Sequence, residues 1–395
     1  MKKVALYIVG IGTGGIESCS ISQFLFMDRT KVDVEFLVDS PPSENFNVQK
    51  IKSAKGVITC CFPTQSPSPL RKFLRPFAFV ETVWKNHYDV VHLHISNPTA
   101  LLYALLCKWF TKANVVATSH AQGVANGSKN FLRLCKWSAK HLSNYCDIRL
   151  ADSYLAGKWM FNDRDFDVMV NGIDANSLAF NPSKRLEIRK TLGIQEDCHL
   201  IGHVGRFATD KNHDFIISVF SEYVKIDPTS KLLLVGKGDL KDLIIKKCKD
   251  CKLLDKVVFV ESAPDLSPYY SAMDLFLFPS LREGFGLVAI EAQAAGLPVL
   301  ASSAVPKETK QTSIIDYANL TDDASVWVNK IQKLLISSDQ RAKVDITKLI
   351  AFCGIRNISN QLVEYYTKVY KKTDFLRPVN KKVKTATIFV VKTRS

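Results

Sequence analysis

Little in this chain points to a membrane span, a metal cluster or a disulfide framework. No apolar run approaches the roughly eighteen residues needed to cross a bilayer. The best stretch, Leu101 to Phe110, is broken by Lys108. Met1-Lys2-Lys3 followed by Val4–Ile11 has the outline of a signal peptide. That run is short, however, and ends in Gly12-Thr13-Gly14-Gly15, which suits a first strand and its loop better. The ten cysteines are scattered, and Cys248-Lys249-Asp250-Cys251 is the only C-x-x-C. A structural zinc site takes four ligands, and no second Cys or His pair is suitably spaced. Scattered thiols in a long chain predict a reducing, cytoplasmic compartment. No D-x-D metal motif stands at the end of a predicted strand. Asp163-Arg164-Asp165 and Asp165-Phe166-Asp167 have the letters, but they precede a strand in a charged loop and read as solvated. No nucleic-acid-reading module accompanies the basic composition.

What is present suits an enzyme of ordinary globular build. With 395 residues, 47% of them hydrophobic, the chain can form two sizeable cores. The formal net charge is +15, and residues 371–395 hold eight Lys/Arg against one Asp. The tail is therefore electrostatically separate from the body. A balance of this sign suits phosphorylated substrates or anionic lipid.

Short apolar runs alternate with helical segments. Strands are predicted at Val4–Val9, Val32–Val38, Gly56–Thr59, Asp89–His94, Asn114–His120, Asp147–Ala151 and Val168–Val170. After the turn signal Asn171-Gly172-Ile173-Asp174, a second series runs through Leu200–Val204, Lys231–Val235, Val257–Val260, Leu275–Phe278 and Pro298–Ala301. Continuous apolar strands joined by helices imply parallel sheets covered on both faces. The expected fold class is α/β, with two doubly wound, Rossmann-like domains facing across a cleft. The expected divisions are 1–180, 181–357, a returning helix at 358–372 and the basic tail 373–395. Thr385–Val391 reads equally as a short strand or a disordered end.

The most informative stretch runs from Arg282 to Val299. Glu283 precedes a glycine loop, Gly284-Phe285-Gly286, which opens a small-residue helix carrying Glu291. A helix N-terminus with free N–H groups favours anions, and glycines let the backbone approach a ligand closely. A diphosphate with a polyol on each side, one carboxylate for each, fits this spacing. The bland alternative is a helix with two solvated glutamates. A rival signal lies at Gly10-Ile11-Gly12-Thr13-Gly14-Gly15, a G-x-G-x-x-G after a strand, with Asp39 ending the next strand. It would make the chain an NAD-dependent oxidoreductase. Against it, the stronger ligand motifs lie in the second half.

In chain order these pieces are Gly14-Gly15-Ile16-Glu17, His120, Asn171-Gly172-Ile173-Asp174, Gly205-Arg206 with Lys211-Asn212, Gly236-Lys237-Gly238, Glu283-Gly284-Phe285-Gly286 with Glu291, and Val305-Pro306-Lys307-Glu308. Together they resemble the retaining family 4 glycosyltransferases of GT-B fold, in their bacterial capsule and exopolysaccharide branch, over roughly residues 1–370. The resemblance implies a nucleotide-sugar donor, usually a UDP-sugar, and no metal or other cofactor. Arg206 and Lys211 match the family's cationic pair at the diphosphate. Glu283 matches the carboxylate that faces the donor sugar, and Glu291 the one that holds ribose hydroxyls. The backbone of Gly284, Phe285, Gly286, Leu287 and Val288 would hold phosphate or sugar hydroxyls. Gly14 and Gly15 would lie across the cleft near the diphosphate, and His120 would contact the donor sugar. His92 and His94 read as core or strand-end residues. Ser18-Cys19-Ser20 departs from relatives that often carry an arginine there.

Acceptors in such enzymes usually meet the first domain. Lys129, Arg133, Lys136 and Lys140 follow helical spacing beside Phe131, Leu132, Leu134 and Trp137, and Leu70–Tyr88 is also basic and aromatic. Two readings stay open: helices resting on anionic lipid, or solvated faces with their other side in the core. The first suits a lipid-linked diphosphate-saccharide acceptor at the inner face of the cell membrane. The activities left in contention are a sugar-nucleotide epimerase of the same fold, the oxidoreductase, and an inactive nucleotide-sugar-binding subunit.

Overall fold

The computed structural model describes residues 1–12, 14–62, 69–124, 127–261 and 263–368, with only the backbone for 69–73. The basic tail and the expected segment Thr385–Val391 lie outside the described residues. Two parallel sheets organise the chain. The first holds β1 (Lys2–Tyr7), β2 (Val32–Val38), β3 (Val57–Cys60), β4 (Val90–Ile95), β5 (Asn114–Ser119), β6 (Ile148–Ala151) and β7 (Asp167–Val168) in the order β3-β2-β1-β4-β5-β6-β7. The second holds β8 (Leu200–Val204), β9 (Lys231–Val235), β10 (Val257–Val260), β11 (Leu275–Phe278), β12 (Val299–Ser302) and β13 (Ile315–Ala318) in the order β10-β9-β8-β11-β12-β13.

Each order reverses once, between β1 and β4 and between β8 and β11. In open parallel sheets the loops at such a reversal part and leave a crevice at the strand C-termini. The reason these runs become central strands is visible in their burial. Every residue of β4, β8 and β11 is buried, so neither face can be polar. β13 was not anticipated. It sits at the sheet edge, pairing with β12 alone, and Asp316 and Tyr317 interrupt its buried residues.

The chain crosses between domains twice, and the crossings are bonded to one another. Ile173 N–H donates to the Cys353 carbonyl, and Ile355 N–H donates to the Ile173 carbonyl, each at 2.9 Å. The final helix, Ile355–Thr367, then packs on the first helix, Gly15–Phe26. Two polar contacts fix its register there. Ser359 Oγ donates to the Gln23 carbonyl at 3.0 Å, and the Tyr366 hydroxyl meets His92 Nδ1 at 2.6 Å inside the core. Apolar packing does the rest: Leu362, Val363 and Tyr366 join Val4, Leu6, Phe24 and Phe36 in one buried cluster. That cluster also takes in Phe285, Ile290 and Ala294 of the second domain, so the back of the Arg282–Val299 segment is seated on the first domain.

Candidate active site between the two sheets

The second-domain half begins where β11 ends. Its chain runs through 279–286 and enters the helix Leu287–Ala294. Gly286 caps that helix at φ +83°, a conformation costly for any residue with a Cβ. No side chain of the capping residue bonds the start, where the first N–H groups of a helix lack intrahelical partners, although Ala289 N–H donates to the Gly286 carbonyl at 2.9 Å. Leu287 and Val288 are half-buried at the first turn, while Ala289, Ile290, Ala292 and Gln293 are buried. The buried Gln293 amide pins the following segment. It donates to the Ala289 and Thr309 carbonyls and accepts from the Gln311 and Thr312 N–H groups. Phe285 turns away from the cleft: its side chain is 3% exposed and packs beside Phe352. Only its backbone is left to face a ligand.

Glu283 and Lys211 meet directly. Lys211 Nζ donates to Glu283 Oε1 at 2.6 Å, and both side chains are largely buried. A second carboxylate, Asp210, lies 3.7 Å from the same ammonium. Arg206 is different. Its side chain is 73% exposed and only grazes Asp210 at 4.0 Å, which leaves the guanidinium available at the rim. The loop bearing it is braced by close backbone packing: a Cβ on Gly236 would fall 2.0 Å from the Gly205 carbonyl oxygen.

Glu291 is held by Tyr270, whose hydroxyl donates to Oε2 at 2.7 Å. Burial pushes the Glu291 carboxyl up to about 7, with the Tyr270 bond pulling the other way. Burial favours the protonated acid, so the folded chain binds this proton more tightly than the unfolded one. Its contribution to stability is therefore full below the ordinary value of 4.5 and declines as pH rises through about 7. Glu291→Gln cannot titrate but can keep the Tyr270 bond. Its melting temperature should gain on the parent's as pH rises from about 4.5 to 8. A difference between the two proteins that stays flat across that range would contradict the buried, proton-binding Glu291.

The first-domain half comes from the C-terminal ends of β5 and β6. His120 follows β5, and Asp152 follows β6 with 3% exposure. Both lie against the second domain's loop. A Cβ on Gly284 would stand 3.3 Å from Asp152 Oδ2 and 3.4 Å from the His120 carbonyl oxygen. Gln122 closes the contact, its Nε2 donating to the Gly284 carbonyl at 2.9 Å. Gly15 is exposed at the start of its helix, with nothing within 4 Å of a Cβ built on it. Gly14 is more occupied. A Cβ there would fall 2.6 Å from Glu17 Oε2, so the Glu17 carboxylate folds back over this helix start.

The structure therefore brings Lys211, Glu283, Gly284, His120 and Asp152 together, with Arg206 at the rim and Glu291 further along the helix. Asp152, Gln122 and Tyr270 were not anticipated. Asp152 had a signal: it is a carboxylate directly after an apolar parallel strand, where ligand-facing groups collect. Gln122 and Tyr270 had none. Asp163, Arg164 and Asp165 are exposed, as a solvated loop requires, and no group of three metal-ligating side chains occurs among the described residues.

Comparison with known proteins agrees with this architecture. Residues 13–177 match the model for Glycosyltransferase Family 4, and residues 184–346 match that for Glycosyl transferases group 1. EpsF of Bacillus subtilis, named as a glycosyltransferase, is 27% identical over 84% of this chain and 87% of its own length. An Escherichia coli UDP-Gal:alpha-D-GlcNAc-diphosphoundecaprenol alpha-1,3-galactosyltransferase is 24% identical over 73% of this chain and 76% of its own. Anabaena HepE, crystallised with UDP and glucose, superposes with a TM-score of 0.77 at 18% identity, covering 93% of this chain and 100% of HepE. With the two matched domains in sequence on a pair of facing doubly wound sheets, the chain is a glycosyltransferase of GT-B type.

Proposed function

We propose that this glycosyltransferase moves a sugar from a UDP-sugar to a lipid-linked diphosphate-saccharide, with retention of anomeric configuration, during assembly of a capsule, exopolysaccharide or O-antigen. The observation that carries the reading is the meeting of Lys211–Glu283 and the open helix start in one domain with His120 and Asp152 in the other. The name of the Escherichia coli relative, with its UDP-galactose donor and diphosphoundecaprenol acceptor, supports the donor and acceptor classes.

In this reading the diphosphate lies between the first turn at Leu287 and Val288, the exposed Arg206 and the ammonium of Lys211. Fixed cations and N–H groups offset the charge that grows on the departing phosphate. The work of a divalent metal is thereby supplied by side chains. Gly14 and Gly15 approach from the opposite wall, where the Glu17 carboxylate must swing aside. Glu291 accepts from the ribose hydroxyls. Glu283 faces the sugar and favours positive charge developing at the anomeric carbon. The bond from that carbon to the phosphate oxygen breaks with its electron pair going to UDP. The acceptor oxygen bonds the carbon on the same face and passes its proton to the leaving phosphate.

The test is the product itself. With a synthetic lipid-diphosphate saccharide and the donor that the enzyme turns over, proton NMR should show the anomeric configuration of the donor preserved in the new linkage. An inverted linkage would overturn retention. An isomerised nucleotide sugar with no transfer would make the protein an epimerase.

The acceptor's lipid gives the basic helices a purpose. Among the described residues, no helix is long and apolar enough to cross a membrane. On the helix Lys129–Leu142, Arg133, Leu134, Lys136, Trp137 and Lys140 are all exposed, while Cys135, Ser138 and Ala139 face the core. Trp109 and Phe110, 64% and 57% exposed, end a helix that packs beside it. Exposed indoles among lysines suit the headgroup layer of an anionic bilayer. Reversing charge with Arg133→Glu and Lys136→Glu should release the protein from vesicles containing anionic phospholipid, and wild-type binding should fade with salt. Equal sedimentation of wild type and variant with those vesicles would return the stripe to an ordinary solvated face.

A further inference from the structure

The helix Leu287–Ala294 carries Glu291 one turn in from its start, and the helix Ser267–Ala272 lays a tyrosine against it. Tyr270 is buried, with its ring edge-on to Phe276 at 6.0 Å between centroids. Its hydroxyl donates its single hydrogen to Glu291 Oε2 at 2.7 Å. The other carboxylate oxygen, Oε1, has no partner among the described residues. Glu291 is half-buried rather than sealed, and Oε1 is open to solvent. A carboxylate oxygen has two lone pairs. Oε1 alone can therefore accept from two neighbouring hydroxyls, such as those of a ribose.

The tyrosine is held in place from behind. Buried Arg341 donates from Nη2 to the Tyr270 carbonyl at 2.9 Å and to the Ala295 carbonyl at 3.0 Å. Ala295 caps the far end of the helix that carries Glu291. One guanidinium thus ties the backbone of Tyr270 to that helix, and its Nη1 binds the Ser271 and Met273 carbonyls as well. The segments around Glu291 bring few other titratable groups. They are Tyr269 beside Tyr270, Asp174 at the head of Ala175–Leu178, Lys307 and Glu308 in the turn Lys307–Thr309, and Cys353 in the cluster that takes in Ile290. Asp174 accepts from the Ser177 N–H, and Lys307 lies over the Tyr317 ring. Burial and the Tyr270 bond are what move the Glu291 carboxyl, the first upward and the second downward.

We propose that Tyr270 is a positioning residue for the nucleotide: by occupying Glu291 Oε2, it presents Oε1 alone to the two ribose hydroxyls. This rests on the proposed nucleotide-sugar reading, in which Glu291 accepts from ribose. Tyr270 touches no ligand and acts through Glu291. Its second effect is on the proton. Burial favours the acid, whereas the Tyr270 bond favours the ionised carboxylate, the form with the most lone pairs to offer. With the carboxyl pushed up to about 7, both forms are populated near neutral pH, and nucleotide affinity becomes sensitive to this one bond. Without the hydroxyl, burial pushes the carboxyl higher still. The protein then reaches its ionised, ribose-accepting form only at a higher pH.

Tyr270→Phe removes the hydroxyl and keeps the ring. Calorimetry on the full-length chain with UDP and with 2′,3′-dideoxy-UDP isolates the ribose contribution, because the titration of the diphosphate is common to both probes. The parent should prefer UDP by about tenfold or more near neutral pH. In Tyr270→Phe that preference should shrink by about threefold to tenfold and return as pH rises, while the dideoxy probe binds both proteins alike. A preference for UDP that is the same in the two proteins at every pH overturns the inference. So does an equal loss for both probes, which is what a merely structural tyrosine would give. A measurement without nucleotide stands apart from the functional reading. With glutamate labelled by ¹³C, the Glu291 carboxyl signal, assigned by its loss in Glu291→Gln, should titrate at higher pH in Tyr270→Phe than in the parent. An unchanged or lower midpoint overturns the coupling between the two side chains. Equal binding of the two probes by the parent would instead remove Glu291 from the ribose, and binding of neither would strike the nucleotide-sugar reading itself.

Discussion

Glu283→Gln should bind UDP as the parent does and transfer sugar on the order of a hundredfold more slowly, the loss of a transition-state contact of about 3 kcal/mol. The substitution keeps the shape and the bond from Lys211 Nζ, which now reaches Glu283 Oε1 at 2.6 Å. What it removes is the negative charge beside the anomeric carbon. That charge matters little to the bound nucleotide and much to a carbon that becomes positive as the phosphate departs. Calorimetry with UDP and a transfer assay on the same preparation decide the matter. If affinity and rate fall together, Glu283 belongs to the nucleotide site and the division of labour between Glu283 and Glu291 is wrong. If neither falls, the Arg282–Val299 motif has been misread.

Lys211→Met should be costly twice over. The ammonium is placed to meet the departing diphosphate, and loss of one such electrostatic contact typically slows turnover by about a hundredfold or more. The variant also strands Glu283, whose side chain is 9% exposed, without its ion-pair partner. Removing one member of a largely buried pair costs about 3–5 kcal/mol at full burial and less here, where Lys211 keeps 16% exposure. The double variant Lys211→Met/Glu283→Gln separates the two effects. Its melting temperature should recover toward the parent's, since no uncompensated charge remains, while turnover should not. Arg206→Met offers the complementary case. With the side chain 73% exposed, stability should move by no more than about 0.5 kcal/mol, yet turnover should fall. Chelation by EDTA should leave the parent active if these cations serve where a metal otherwise would. Strict Mg²⁺ or Mn²⁺ dependence of the chemical step would contradict that assignment.

Most of the architecture was legible because central parallel strands must be apolar on both faces. Runs such as Leu200–Val204 and Leu275–Phe278 declare themselves without any alignment. β13 escaped for the converse reason: an edge strand with Asp316 at its second position carries no such signature. Within the site, glycine spacing and carboxylates at a helix entrance marked Glu283, Gly286 and Glu291. Chain-distant pairings were not legible. Nothing in the sequence joins Lys211 to Glu283, 72 positions away, or sets Asp152 against Gly284. The first contact exists because β8 and β11 are neighbours in the second sheet, the second because the two sheets turn their strand C-termini toward each other; both are facts of tertiary packing. Phe285 adds a detail that the sequence did not carry: the role expected of it at the donor was a backbone one, and its side chain completes an apolar cluster shared with the first domain. The lone histidines also gained meaning only in three dimensions, since β4 and β5 pair His94 with Thr118 in register and His120, two residues on and on the same face, comes beside it.

The central claim is that the two halves of this cleft activate a nucleotide sugar. Its most direct test is release of the nucleoside diphosphate from a panel of UDP-, GDP- and ADP-sugars, measured with the full-length protein and with Glu283→Gln in parallel. The account predicts turnover of one or a few UDP-sugars by the parent, and turnover reduced on the order of a hundredfold in Glu283→Gln although it still binds UDP. No turnover of any nucleotide sugar by the parent, or equal turnover by the two proteins, would contradict it.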